Sequence, residues 1–146
     1  MSRPEQLLQV IEQDVQQDCA DYLALRGSMP ELYQQLLERN CRQIDLLNEQ
    51  ISGLVEQLRA RAGRRSKILA AFRLGTDQAG LRQLFGQYPR ARGVQLQQTW
   101  QQLGQLVAQC KYLNERNGKL LAMHGDILNQ LLGDGRHTDL YAPQFY

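Results

Sequence analysis

Three cysteines and two histidines are the side chains of this chain best suited to nucleophilic or metal chemistry, and their spacing assigns them to neither. Cys19, Cys41 and Cys110 lie far apart, as do His124 and His137. None approaches the C-x-x-C or H-x-x-x-H intervals that turn several ligands toward one ion. Cys110 and His124 share one helical pattern, in which the rise per residue holds them about 21 Å apart, out of reach of a thiolate–imidazole pair. An odd number of widely spaced cysteines suits reduced thiols better than a disulfide framework. The stretch "GRRSK" at 63–67 lacks the preceding strand and the spacing of a phosphate loop. These features predict a protein that is not an enzyme and that takes no metal, no cofactor and no small-molecule substrate.

Charge offers a second kind of chemistry. The formal net charge is only +2, but residues 1–58 carry ten acids and four bases, whereas residues 59–92 carry one acid and nine bases. A basic block of this kind recruits phosphate or an acidic protein surface, or else forms a solvated linker, and both readings stay open. Arg59, Arg61, Arg64, Arg65, Lys67 and Arg73 precede "TDQAGLRQLFG", an arrangement faintly like a helix-turn-helix with a basic arm. Its second helix, however, offers Arg82 as the one charged reader of base edges. No nucleic-acid partner is expected.

The elements behind these side chains are helices. The chain of 146 residues is 42% apolar, rich in Leu and Gln, and has four Pro, which points to an all-α fold of one domain. No stretch reaches the 18 uninterrupted apolar residues of a membrane span, and no export signal follows Met1, so a cytoplasmic location is expected. A first helix is predicted over 4–25, with Leu7, Leu8, Ile11, Val15, Cys19 and Tyr22 along one side. Gly27 is expected to stop it. Ser28, with Pro30 and Glu31 after it, forms a capping-box signature that starts a second helix over 29–62. In that helix Leu37, Ile44, Ile51 and Leu58 repeat every seven residues. Glycines divide 63–93 into a crossover of short helical pieces, one of them capped by Thr76. A third helix is predicted over 94–132, followed by a mobile tail, 133–146. The domain over 1–132 is thus expected to be an elongated antiparallel bundle with long coiled-coil-like helices.

The third helix is the candidate site. Its seam runs through Leu103, Leu106, Cys110, Leu113, Asn117, Leu120, His124, Ile127 and Leu131, widened by Trp100, Val107, Leu121 and Leu128. Asn117 and His124 sit one heptad apart inside it. They either fix the register of the bundle or mark a half-helix with an incomplete set of neighbours, ready for a visitor. Gly104, Ala108, Gly118, Ala122 and Gly125 make one side of this helix slim, and an interior glycine costs about 1 kcal/mol against alanine. A groove for another helix is one reading of that cost; a polar face of low helix propensity is the other.

The stretch "LNERNGKLLAMHGDILNQLLG", with its Asn114-x-x-Asn117-Gly118-x-Leu120-Leu121 core, resembles the FlgN family of flagellar type III export chaperones. The likeness covers nearly the whole chain in length and layout. It implies a cytoplasmic helical chaperone that binds the C-terminal segments of the hook-filament junction proteins FlgK and FlgL, keeps them from premature association, and takes them to the export gate protein FlhA. The resemblance places substrate binding on the third helix, at Asn114, Asn117, Gly118, Leu121 and Ile127, beside the apolar Leu106, Leu113, Leu120 and Leu128. It also implies that Tyr141 in the tail docks at the gate, with Tyr146 as the candidate if the alignment slips. The residues alone leave a second reading open, a dimeric coiled-coil structural adaptor without a secretion substrate.

Overall fold

A computed structural model describes the backbone of residues 1–132 and the side chains of residues 1–123. Four helices make it up: α1 (Arg3–Glu38), α2 (Cys41–Ala71), α3 (Gln78–Phe85) and α4 (Arg90–Leu132). The fold is an all-α bundle. Successive long helices run in opposite directions, so α1 and α4 run parallel, with Glu12 beside Arg92 and Met29 beside Asn117. That parallel pair is the most extensive interface, and α2 packs along a different face of α1. Among the described residues, the backbones of α2 and α4 do not approach each other. α1 therefore lies between them, and the short α3 bridges α2 and α4 at one end. No described helix is long and apolar enough to cross a membrane.

The helix boundaries differ from those expected. Chain entry into α1 is made by Ser2, whose hydroxyl accepts the Glu5 N–H while the Glu5 carboxylate accepts the Ser2 N–H, a reciprocal cap. α1 then runs straight through Gly27, Ser28 and Pro30 to Glu38. The Ser28 cap does not form. Pro30 lacks the N–H that the Arg26 carbonyl needs, a defect of about 3 kcal/mol in a helix interior. It is offset because Leu25, Met29, Leu32 and Leu36 are all buried and keep their three-four spacing only if the helix continues, each contributing on the order of 1.5–3 kcal/mol. The true break is at Arg39 and Asn40. Arg39 takes a left-handed backbone, φ 56, the Asn40 N–H donates back to the Gln35 carbonyl at 3.0 Å, and the Asn40 side chain caps α2 by accepting the Gln43 N–H at 3.3 Å.

α2 likewise overruns its expected end. Gly63 meets no atom that would exclude a side chain, and Ile68 and Leu69 are buried, so the first expected crossover piece is the end of α2. α3 is capped by Asp77, whose carboxylate accepts the Gly80 N–H at 2.8 Å, and not by Thr76. A Cβ on Gly80 would lie 1.9 Å from the Gly75 carbonyl oxygen, so only glycine lets the loop close this tightly. Leu81, Leu84 and Phe85 fill the end of the core, where Phe85 meets Trp100 edge-on with ring centres 6.1 Å apart. Tyr88 is buried beside them and donates its hydroxyl to the Leu8 carbonyl. α4 starts at Arg90, one turn earlier than expected.

Part of the charge polarity along the chain is consumed within the bundle. Asp14, Asp18 and Asp21 form one stripe of α1 and face Arg61, Arg64 and Arg65 of α2. Arg61 donates to both Asp18 and Asp21. Arg64 grips Asp14 through two bonds of 2.6 and 2.8 Å, and Arg65 reaches Asp18 at 3.0 Å. Burial works against the charge on Arg61, yet its bonds to Asp18 and Asp21 outweigh that penalty and lift its pKa above the ordinary value. Arg65 also lies over the Trp100 ring, 4.9 Å from its centre, and so links α2 to α4. On the opposite side Arg92 of α4 pairs with Glu12 of α1. Four of the nine bases of the block thus cement the α1 interfaces.

Candidate functional site

The positions singled out on α4 do not share one environment. Leu120 and Asn117 are buried; Leu106, Leu113 and Leu121 are half-buried against the core, as are Asn114 and Gly118. Ile127 and Leu128 lie in the helix but outside the described side chains, and Tyr141 and Tyr146 lie outside the described residues. Asn117 faces α1, only 2% exposed, and its amide donates to the Met29 carbonyl at 3.1 Å. A partner reaches Asn117 only by displacing α1. Among the described residues its Oδ1 has no hydrogen-bond partner, nor do Gln35 Oε1 or Arg116 Nε. A buried polar atom left unpaired costs on the order of 1–3 kcal/mol. The seam here is therefore less well satisfied than the ion-paired end of the molecule.

Around this seam the α4 surface is apolar in places. Tyr112 is 67% exposed, Met123 59%, and Leu37 at the end of α1 49%. A shallow groove of about 390 Å³ lies between Arg26, Ala108, Gln109, Tyr112 and Leu113. Arg26 donates to Gln109 across it at 2.8 Å, and further along the Arg116 guanidinium covers the Tyr33 ring at 4.0 Å. Gly104 has open space where a side chain would be, and Ala108 and Ala122 are exposed, so the slim side of the helix faces outward at these three positions, whereas Gly118 is half-buried. The register set by Met29–Asn117 brings Glu38, the end of α1, level with Asp126, whereas α4 continues to Leu132. The last turns of α4 thus run past the helix that covers the rest of it.

The thiols are placed as bystanders. Cys110 is fully buried, its Sγ 3.4 Å from the Tyr22 carbonyl, and burial pushes its pKa up to about 11. Desolvation, with the charge of Asp18 added to it, also raises Cys19. Among the described residues no group of three or more His, Cys, Asp or Glu is placed to hold a metal. The features that sequence reasoning missed are the Asp14/Asp18/Asp21 ladder and the Tyr33–Arg116 stack. The first had a signal, since acids at i, i+4 and i+7 precede a run of arginines of opposite sign; the second had none.

Comparison with known proteins agrees with this architecture. No curated protein sequence is a significant match for the chain. The crystal structure of a flagella synthesis protein FlgN from Pseudomonas aeruginosa is similar, with a TM-score of 0.68 and 26% sequence identity over 90% of this chain and 99% of that one. The sequence model described as FlgN protein matches residues 29–133, which include all of α2, α3 and α4. With that match spanning well over half its length, the chain belongs to the FlgN family.

Proposed function

We propose that the chain is a cytoplasmic export chaperone of the flagellar type III pathway, which binds the C-terminal helical segments of FlgK and FlgL and delivers them to the export gate protein FlhA. The observation that carries this reading is the length of α4, which reaches Leu132 while its partner α1 ends at Glu38. A helix end that runs past α1 among the described residues, next to the exposed Met123 and Leu37, can lay an amphipathic segment of a partner along itself and take its apolar face out of water. Reversibility follows from the same surface. A segment ordered only on binding spends part of its interaction energy on that ordering, so handover at a gate need not break an obligate interface. Tyr141, in the tail after α4, is assigned to docking at the gate.

Isothermal calorimetry of the full chain against the C-terminal segments of FlgK and FlgL tests the reading. Saturable one-to-one binding at micromolar to sub-micromolar Kd is expected, about −8 to −10 kcal/mol, weakened at least tenfold by Met123→Asp or Tyr112→Ala. Tyr141→Ala should leave that binding intact and reduce association with FlhA. No heat and no co-elution with the intact substrates would refute the chaperone reading in favour of the dimeric adaptor.

A further inference from the structure

The opposite end of the bundle carries charge that the fold does not use. Arg61, Arg64, Arg65 and Arg92 are engaged by acids of α1. Lys67, Arg73, Arg82 and Arg90 are exposed and make no ion pair among the described residues. Between Gln57 and Asn114 the sequence has a single acid, Asp77, and its carboxylate is occupied in capping α3. Arg82 sits in the last turn of α3, where a cation suits the helix dipole. Arg90 does not, because it opens α4, whose first turn contains no acid. Its charge opposes the dipole there, so helix stability does not account for it.

Beside Arg90 lies a groove of about 460 Å³ between the α3–α4 turn and the outer face of α4. Its apolar part is Phe85, Tyr88 and Val94, and Val94 is 51% exposed. Gly93 keeps the turn tight, since a Cβ there would lie 2.7 Å from the Phe85 carbonyl oxygen. Gln97, Gln98 and Gln101 continue the groove along α4. The stretch from Val94 to Cys110 contains no charged residue, so the wall beyond Arg90 is an uncharged row of amides.

We propose that this end of the molecule is a docking site for an acidic protein segment bearing an apolar side chain. Carboxylates meet Arg90 and the other cations of this end, the apolar side chain rests on the exposed Val94 at the edge of the buried Phe85 and Tyr88, and the glutamine amides hydrogen-bond the peptide backbone. A protein segment fits better than a duplex or a bilayer. The groove admits a few side chains only, and the exposed large apolar side chain lining it is Val94. The site is small, so the complex is weak and transient. It lies at the other end of α4 from the proposed cargo surface and does not depend on that assignment.

The test follows backbone amide shifts of the nitrogen-15-labelled full chain during titration with a synthetic peptide that alternates glutamate and leucine. Saturating shifts confined to residues 67–101 are expected, with affinity falling at least tenfold in Arg90→Glu and in Val94→Asp, and falling steeply as salt is raised to about 0.5 M. Both side chains are exposed, so the thermal midpoints of the variants should not fall below that of the parent, and Arg90→Glu should raise it slightly by placing an acid in the first turn of α4. Shifts that do not saturate, shifts centred elsewhere, or undiminished binding by the variants would overturn the proposal. So would parallel titrations in which phosphatidylglycerol vesicles or a short DNA duplex bind as tightly as the peptide, because the end would then be a general polyanion surface.

Discussion

Replacing Asp18 by alanine probes the interaction that joins the acidic and basic halves of the chain. The Asp18 side chain is 3% exposed and that of Arg61 7%, so the variant leaves a buried guanidinium short of one partner and removes the contact that Arg65 makes at 3.0 Å. Loss of one partner of a buried pair costs about 3–5 kcal/mol. Arg61 keeps Asp21 and Arg65 keeps the Trp100 ring, which points to the lower end, about 3 kcal/mol. Against a total stability of about 5–15 kcal/mol, that lowers the thermal midpoint by roughly 10 °C for a chain of this length. Urea unfolding followed by circular dichroism measures it. Asp18→Leu combined with Arg61→Met should recover part of the loss, because removing both charges removes their desolvation cost while Asp21 is left without its Arg61 partner. Glu12→Ala, at the half-exposed pair with Arg92, should leave the midpoint within error. A cost for Asp18→Ala below about 1 kcal/mol, as at an exposed pair, or a double variant costing the sum of its singles, would refute the reasoning.

Glycine substitutions should split in sign: Gly104→Ala, into open space, stabilises by about 1 kcal/mol, whereas Gly80→Ala, 1.9 Å from a carbonyl oxygen, destabilises by about 2 kcal/mol or more in the same unfolding assay. Asn117→Ala should cost less than about 1 kcal/mol despite full burial, because the lost bond to Met29 is offset by removal of the unpaired Oδ1 and by better helix propensity. A cost well above that in denaturant unfolding would contradict an unpaired Oδ1. Burial lifts the Cys110 thiol from 9.0 to about 11, so between these values the unfolded chain loses a proton that the folded chain keeps. Stability must then fall as pH rises from about 9 to 11, by at most roughly 2–3 kcal/mol. Unfolding measured across that window should show a shallower slope in Cys110→Ala.

Apolar periodicity by itself determined the helical class, the long α4 and its inward seam, because burial of Leu103, Cys110 and Leu120 obeys the geometry of one helix and needs no knowledge of its neighbours. Where the chain turns was not legible in this way. Gly27, Ser28 and Pro30 form a locally persuasive break, yet the continued burial of Met29, Leu32 and Leu36 against other helices outweighs it, and the turn falls at Arg39 and Asn40 instead. The charge halves were visible as composition, but only packing shows that α1 neutralises Arg61, Arg64 and Arg65 and leaves Lys67, Arg73, Arg82 and Arg90 to solvent. At the candidate site, sequence spacing put Asn117 on the same stripe as the leucines. Whether that stripe meets a partner or the chain itself depends on what lies opposite. Tertiary structure decided it by placing Met29 there, because the surroundings of a side chain are fixed by residues distant in sequence.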